Sequence, residues 1–385
     1  MRDYIEKLIA RGEMNIVERE VDPKFELAAV VSRSQQQNDN PILFKNVKKT
    51  ALPVISNIYG SHRRLCELTG TTLGNFCKQW DSLVNTELPS ADDYEEHLAD
   101  EADIVEGKMS DLPHITYCER DGGAYITAGI FLAKDPETGI PNLSFCRSMM
   151  VDDKELLVRL APPHDLIKYQ AKAEEKNEAL EVAILIGPPT EVFLAACASV
   201  PTEVDEMAIA SQIRGGKIPM RKCRSIDLSV PADTQVVIEG RILPNVRKKE
   251  GPFGEFLGYY VGINENHVFE IDTVTWLKDG YFHGLLCGYP EDLRALEVSF
   301  ATRTYRELIK SLPGILDVSC SPSPMHTIVR IQPQFDGHAK QVILKTFTSH
   351  FQYNKICIVV DEDVDIHNFD DVWWAVLTRS RVDTR

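Results

Sequence analysis

Glu250-Gly251-Pro252-Phe253-Gly254-Glu255 sets two carboxylates at the ends of a turn too rich in glycine and proline to continue a helix. Strand-like runs flank it at residues 235–239 and 268–277. Gly251, Pro252 and Gly254 let the backbone turn sharply and approach a ligand, so the two acids can converge on one cavity from different elements. Two carboxylates in unlike surroundings form an acid/base pair, since burial raises one pKa while a neighbouring arginine keeps the other ionised. An isolated E-x-x-x-x-E also suits a solvated surface turn, so the reading depends on what accompanies it.

Outward from this turn, short apolar runs at residues 125–132, 179–186 and 281–286 join the two flanking runs, separated by Gly, Pro and Asp. Such spacing predicts a partly open β-barrel, interrupted by a helical insertion at 191–198. Before it, helical patterns at 4–10 and 25–34 are broken at Gly12, with Asp22-Pro23 as a start signal, and strands follow at 42–44 and 54–58. The acidic, weakly periodic stretch 88–107 reads as a surface connection. After residue 299, helix and strand alternate: helices at 302–311 and 339–350, strands at 327–331 and 356–360, the last a buried strand leading into Asp361-Glu362-Asp363. The expected class is therefore α/β in the broad, α+β sense: an N-terminal α/β domain (1–115), a central split β-barrel (116–298) and a C-terminal α/β domain (299–385).

A chain of 385 residues exceeds what one core usually supports, and 43% hydrophobic content suffices for several. The net charge of −16 argues against nucleic-acid or anionic-membrane partners and for small molecules. No apolar run reaches the ~18 residues of a spanning helix, and the first twelve residues alternate in charge, so no integral membrane segment is expected and the cytoplasm is the expected compartment. Nine cysteines are scattered without C-x-x-C or zinc-type spacing, which fits reduced thiols.

A second constellation is Asn142-Leu143-Ser144-Phe145-Cys146-Arg147-Ser148-Met149, followed by Arg159 and His164. As a strand, it would put Asn142, Ser144 and Cys146 on one face and Phe145 and Arg147 on the other. One face then offers polar groups to a phosphate, the other a ring and a guanidinium to a flat ligand. Asn142 and His164 are reasonable ligands for a divalent ion bridging to phosphate, although a histidine after Pro162-Pro163 also suits a surface loop. Cys146 has no His and Asp partners identifiable by spacing, so it reads as packing or cofactor contact instead of a nucleophile.

With these two constellations in order, about a hundred residues apart, the chain resembles the UbiD family of prenylated-FMN-dependent (de)carboxylases. The resemblance covers residues 57–378 through Gly122-Gly123-Ala124-Tyr125, Asp135-Pro136-Glu137-Thr138-Gly139, Lys222-Cys223, Glu239-Gly240, Gly258-Tyr259-Tyr260, Gly337-His338-Ala339-Lys340, Trp374-Ala375 and Thr378-Arg379. It implies a lyase, a carboxy-lyase acting reversibly and non-oxidatively on an aromatic, heteroaromatic or α,β-unsaturated carboxylic acid. Hydroxybenzoates, their polyprenylated forms, phosphorylated unsaturated acids and aromatic acyl-CoA compounds are all open. It implies Arg147, Glu250 and Glu255 as the catalytic set, with Glu255 protonating the product carbon while Arg147 and Glu250 position the substrate and tune that donor. Cofactor contacts fall, by the same match, on Asn142, Ser144, Phe145, Cys146, Arg147, Ser148, Met149, Arg159, His164 and Lys217. The implied cofactors are prenylated FMN with a divalent cation (Mn or Mg) and K at its phosphate. The implied partners are a flavin prenyltransferase that supplies the flavin and further copies of the chain, in a homodimer or homohexamer.

Two departures shape the expectations. The family metal site uses an Asn, a His and a Glu; Asn142 and His164 match, while counting back from Lys222-Cys223 puts Pro219 at the Glu position, which predicts a weakened site. Arg214, Lys217, Arg221 and Arg224 then become candidates to neutralise the cofactor phosphate or to recognise a phosphate on the substrate. The sequence also stops at Arg385, soon after the Trp374-Ala375 and Thr378-Arg379 pieces, where family members typically continue, so part of the pocket wall is expected to be missing. An accessory, non-catalytic subunit of a multi-subunit carboxylase is the alternative. A plain FMN oxidoreductase lacks support, and residues 251–254 do not form a dinucleotide fingerprint.

Overall fold

The computed structural model describes residues 1–50, 52–85, 95–96, 103–162, 164–321, 323–349 and 353–380. Chain contacts gather into two compact units. One comprises Met1–Gly60, Leu88–Ala196 and Val200–Asp292; the other comprises Ser61–Glu87, Cys197–Ser199 and Leu293–Arg385. The mixed α/β class expected from the sequence is the class observed.

The first unit is built on a nine-stranded sheet that curls into a half-barrel. Its spine is the pair Val236–Glu250 and Asn264–Leu277, whose hairpin carries the Glu250–Glu255 turn. Leu180–Ile186 extends the sheet on one side, followed by Ile130–Lys134 and Pro141–Phe145. Glu155–Val158, Ser148–Met150 and Tyr125–Ile126 extend it on the other, and every pairing is antiparallel. Apolar alternation drives this: Val182, Ile184, Ile186, Val236, Ile238 and Phe269 are all buried completely in one cluster. At Gly240 the register shifts, and an added Cβ would lie 2.0 Å from the Glu270 carbonyl oxygen, so the two strand backbones approach there as only glycine permits.

A separate four-stranded sheet holds Asn15–Val21, Ile42–Val47, Val54–Ser56 and Phe282–His283. The run at 281–286 was expected in the barrel; its strand residues instead pair in parallel with Val54–Ser56. The stretch 88–107 was expected to be a connection. Its described part includes Ile104–Gly107, which pairs with the barrel strand ending at Leu277, while 88–94 and 97–102 lie outside the described residues.

In the second unit, helices Pro290–Ile309 (from Leu293 onward), His338–Thr348, Phe76–Val84 and Phe369–Arg379 accompany strands Ile315–Ser319, His326–Ile331 and Ile356–Asp361. Its core gathers Cys77, Leu308, Val318, Val329 and Val342. Ile356–Asp361 was expected to be buried, yet Ile356 is 57% exposed. No helix among the described residues is long and apolar enough to cross a membrane.

Candidate active site

Arg147 lies between two barrel strands, just after Pro141–Phe145 and before Ser148–Met150, and its guanidinium is the node of the site. It grips Glu250 with two bonds, Nε to Oε1 at 3.2 Å and Nη2 to Oε2 at 3.1 Å, and its Nη1 donates to Glu255 Oε1. The sequence turn thus brings both acids to one cation, as the Gly-Pro-Gly spacing suggested. Gly251 adopts φ +100, and the Gly251–Pro252 peptide is cis. A Cβ at Gly122 would meet the Gly251 carbonyl oxygen at 2.3 Å, so a second glycine segment packs directly on the turn. Asp121 Oδ1 accepts the Gly254 N–H at 2.9 Å, and the Phe253 ring lies 4.9 Å beneath the Arg147 guanidinium.

The two acids are not equivalent. Glu250 is fully buried, and besides Arg147 it accepts from Tyr125 Oη at 2.7 Å and Asn266 Nδ2 at 2.6 Å, so both oxygens are saturated. The Glu255 side chain is 30% exposed and, among the described residues, is held only by Arg147. Burial alone would lower the Arg147 pKa, but its bonds to Glu250 and the charges of Glu250 and Glu255 outweigh that and raise it. Burial, with the Glu250 hydrogen bond, pushes the Tyr125 phenol well up, so it stays a donor. Burial also pushes the Cys146 thiol to about 12, which fits packing and not nucleophilic attack.

Asn142 and Ser144 do share a face: Ser144 Oγ donates to Asn142 Oδ1 at 2.7 Å. Their third partner is Glu206, the first residue of helix Glu206–Arg214, whose Oε1 accepts from Asn142 Nδ2 at 3.0 Å and whose Oε2 accepts the Leu143 N–H at 3.2 Å. Pro219, reached by counting back from Lys222-Cys223, opens the strand Pro219–Lys222, while the carboxylate that Asn142 meets is Glu206. Burial pushes the Glu206 carboxyl up to about 8, with the charges of Asp205 and Asp165 adding to the rise. His164 is the N-cap of helix Asp165–Glu175, not a surface-loop residue, and its buried Nδ1 has no hydrogen-bond partner among the described residues. The Ser148 hydroxyl, on a fully buried residue, is equally unpartnered. A buried carboxyl and an unpartnered imidazole nitrogen are donor types that suit a divalent cation, and an unpartnered buried hydroxyl suits an anion.

The remaining sequence candidates are placed as follows. Phe145 meets Phe193 edge-on at 5.0 Å, and Phe193 stacks on Tyr59 at 3.7 Å, a rigid aromatic wall. Met149 is half-buried, and the Arg159 backbone N–H bonds the Arg147 carbonyl at 3.2 Å. Of the basic group, Arg214 is paired with Glu191 and Arg224 with Glu106, Arg221 is buried with its Nε unpartnered among the described residues, and Lys217 is exposed.

Three family models match the chain: the N-terminal domain, the Rift-related domain and the C-terminal domain of 3-octaprenyl-4-hydroxybenzoate carboxy-lyase (UbiD), at residues 5–83, 93–290 and 296–384. Anhydromevalonate phosphate decarboxylase of Methanothermobacter thermautotrophicus is 30% identical over 391 aligned residues, covering 100% of this chain and 89% of the relative. An evolved dimeric form of the UbiD-class enzyme HmfF from Pelotomaculum thermopropionicum, solved in complex with prFMN, superposes with a TM-score of 0.92 at 30% identity, covering 99% of this chain and 90% of the other. Vanillic acid decarboxylase of Sedimentibacter hydroxybenzoicus does so with a TM-score of 0.88 at 26% identity, covering 99% and 84%.

Proposed function

Because the chain belongs to the UbiD family of carboxy-lyases, we propose that it removes CO2, reversibly and without net oxidation, from an aromatic, heteroaromatic or α,β-unsaturated carboxylic acid, with prenylated FMN as cofactor. The observation that carries this reading is the asymmetry around Arg147: Glu250 saturated and fully buried, Glu255 partly exposed and singly held.

When bound, the flavin supplies an electron sink for the pair left on carbon as CO2 departs. Arg147 orients the substrate carboxylate, and because Glu250 already occupies two of its donors it does so without trapping a charge that the reaction destroys. Glu255 gives its proton to the carbon that lost CO2 and regains one from solvent, which its partial exposure allows. Proton and CO2 balance, so the reverse direction is carboxylation. Asn142, Glu206 and His164 would hold a divalent cation, Mn or Mg, with K, against the cofactor phosphate; Ser144, Phe145, Cys146, Ser148, Met149, Arg159 and Lys217 complete the cofactor contacts in this reading. With Glu206 available as the anionic ligand, the accessory-subunit alternative loses its main motive.

The same reading takes the cytoplasm as the compartment, a flavin prenyltransferase as the source of cofactor, and a homodimer or homohexamer as the assembly. Exposed Trp373, Trp374 and Leu377 on the last helix support self-association, which native mass spectrometry checks. The relative's name supports placing a phosphorylated acid in the first substrate screen, beside hydroxybenzoates. The deciding experiment is Glu255→Gln on protein produced alongside a flavin prenyltransferase. The variant is expected to retain flavin while losing CO2 release and solvent-deuterium incorporation; wild-type turnover in it refutes the assignment.

A further inference from the structure

In the second unit, far along the chain from the Glu250 turn, His62, Glu297 and His367 each direct a ligand atom into one cluster, all within 4.8 Å of one another. His62 opens the helix His62–Thr69, Glu297 lies on the helix Pro290–Ile309, and His367 sits in the loop before the helix Phe369–Arg379. None of the three belongs to the cation set assigned above. The site is built: Glu297 Oε1 is fixed by Ser319 Oγ at 2.7 Å and by the Cys320 N–H at 3.2 Å, leaving Oε2 toward His62 Nε2 at 2.8 Å, with Arg294 donating to the same oxygen.

His367 is the second, independent observation. Its side chain is only 7% exposed, and neither ring nitrogen has a hydrogen-bond partner among the described residues. Burying an imidazole with both nitrogens unsatisfied is unfavourable, and an ion bound at one nitrogen relieves that half of the cost. Asp317 Oδ2 lies 3.6 Å from His367 Nε2 and has no hydrogen bond among the described residues, the position of a carboxylate that orients a metal-bound imidazole. The three residues also line a recess with Leu65, Cys66, Phe76 and Val318, so a further coordination position opens onto a mostly apolar space.

We propose that His62, Glu297 and His367 form a binding site for a divalent transition-metal ion, zinc by its two-imidazole, one-carboxylate donor set, separate from the cofactor cation. On binding, the ion displaces the proton between His62 Nε2 and Glu297 Oε2, which passes to solvent, and the imidazole ligates through Nε2 with its N–H on Nδ1. Arg294 retains the other lone pair of Oε2. Ligation would tie together three segments remote in sequence and stabilise the unit by mass action.

The test titrates the full chain, stripped with chelator and without flavin, with zinc followed by calorimetry, and with cobalt(II) followed by its visible absorption. One zinc per chain is expected beyond any ion lost in Glu206→Gln, and its affinity should fall at least ~10-fold in both His62→Gln and His367→Gln. A cobalt spectrum of low-coordinate nitrogen and oxygen ligation is expected in wild type and should vanish in either variant. Folded wild type that binds no zinc beyond the Glu206-dependent ion, or His62→Gln and His367→Gln that bind zinc as wild type does, overturns the proposal. Circular dichroism establishes folding of each variant, and if His367→Gln does not fold, His62→Gln and the wild-type cobalt spectrum decide.

Discussion

Glu250 and Glu255 flank one guanidinium under opposite constraints, and residue-level changes should separate them. Tyr125→Phe removes one donor to a fully buried, charged acceptor, so it should cost about 2 kcal/mol in urea unfolding while leaving the Arg147 grip in place. Glu206 gives a pH signature. Its folded pKa of about 8 lies above the unfolded carboxyl value, so it contributes stability that is present below about 4.5 and lost as pH rises through about 8. Chelated wild type should therefore lose melting temperature between pH 5 and pH 8, by the equivalent of a few kcal/mol, while Glu206→Gln should show a shallower fall that retains the contribution of Asp292, itself raised by burial to about 6. A divalent cation should reduce the wild-type slope to that of Glu206→Gln if Glu206 is a ligand. Glu250 and Glu255 were legible as a pair because Gly and Pro spacing announces a sharp turn. Glu206 was not: it follows the capping Asp205, whose side chain accepts the Met207 N–H, and such an acid reads as ordinary first-turn charge ahead of an apolar run.

At the scale of elements, the close approach between the Gly122 segment and the Glu250–Glu255 turn can be probed sterically. Gly122→Ala should displace the turn and cost about 2 kcal/mol or more together with most activity, since its Cβ would overlap the Gly251 carbonyl. Gly216→Ala, with no atom within 4 Å of the new methyl, should stay within about 0.5 kcal/mol of wild type by thermal unfolding. The barrel strands were legible where apolar residues alternate, but the strand Val236–Glu250 runs far beyond the expected 235–239. Arg241 and Lys248 hide its continuation from an apolar pattern, because they pair across the sheet with Glu181 at 3.2 Å and with Glu155 at 2.7 Å. Ile104–Gly107 was hidden in an acidic stretch for a similar reason: Glu106 on it pairs with Arg224. Helix Asp165–Glu175 was overlooked because Pro162-Pro163 reads as loop, although His164 then begins the helix.

At the scale of the whole molecule, a net charge of −16 keeps copies apart at neutral pH, and the pI of about 5.1 locates the point where that repulsion vanishes. Light scattering should be greatest near pH 5 and minimal at pH 7, and salt should narrow the difference. The class of fold was legible from the order of strand-rich and alternating stretches, while the partner of each strand was not, because a short apolar run carries no label for the sheet it joins. Phe282–His283 shows the point, since it leaves the barrel region to pair with Val54–Ser56. That pairing has a consequence for biosynthesis. A ribosome that has just released the first three strands of the small sheet must still add more than two hundred residues before the fourth is made, and Glu291, whose carboxylate accepts the N–H groups of Asn57 and Tyr59, arrives later still. The nascent N-terminal segment therefore waits with an open strand edge, and chaperone dependence should be concentrated in the interval before residue 291 clears the exit tunnel.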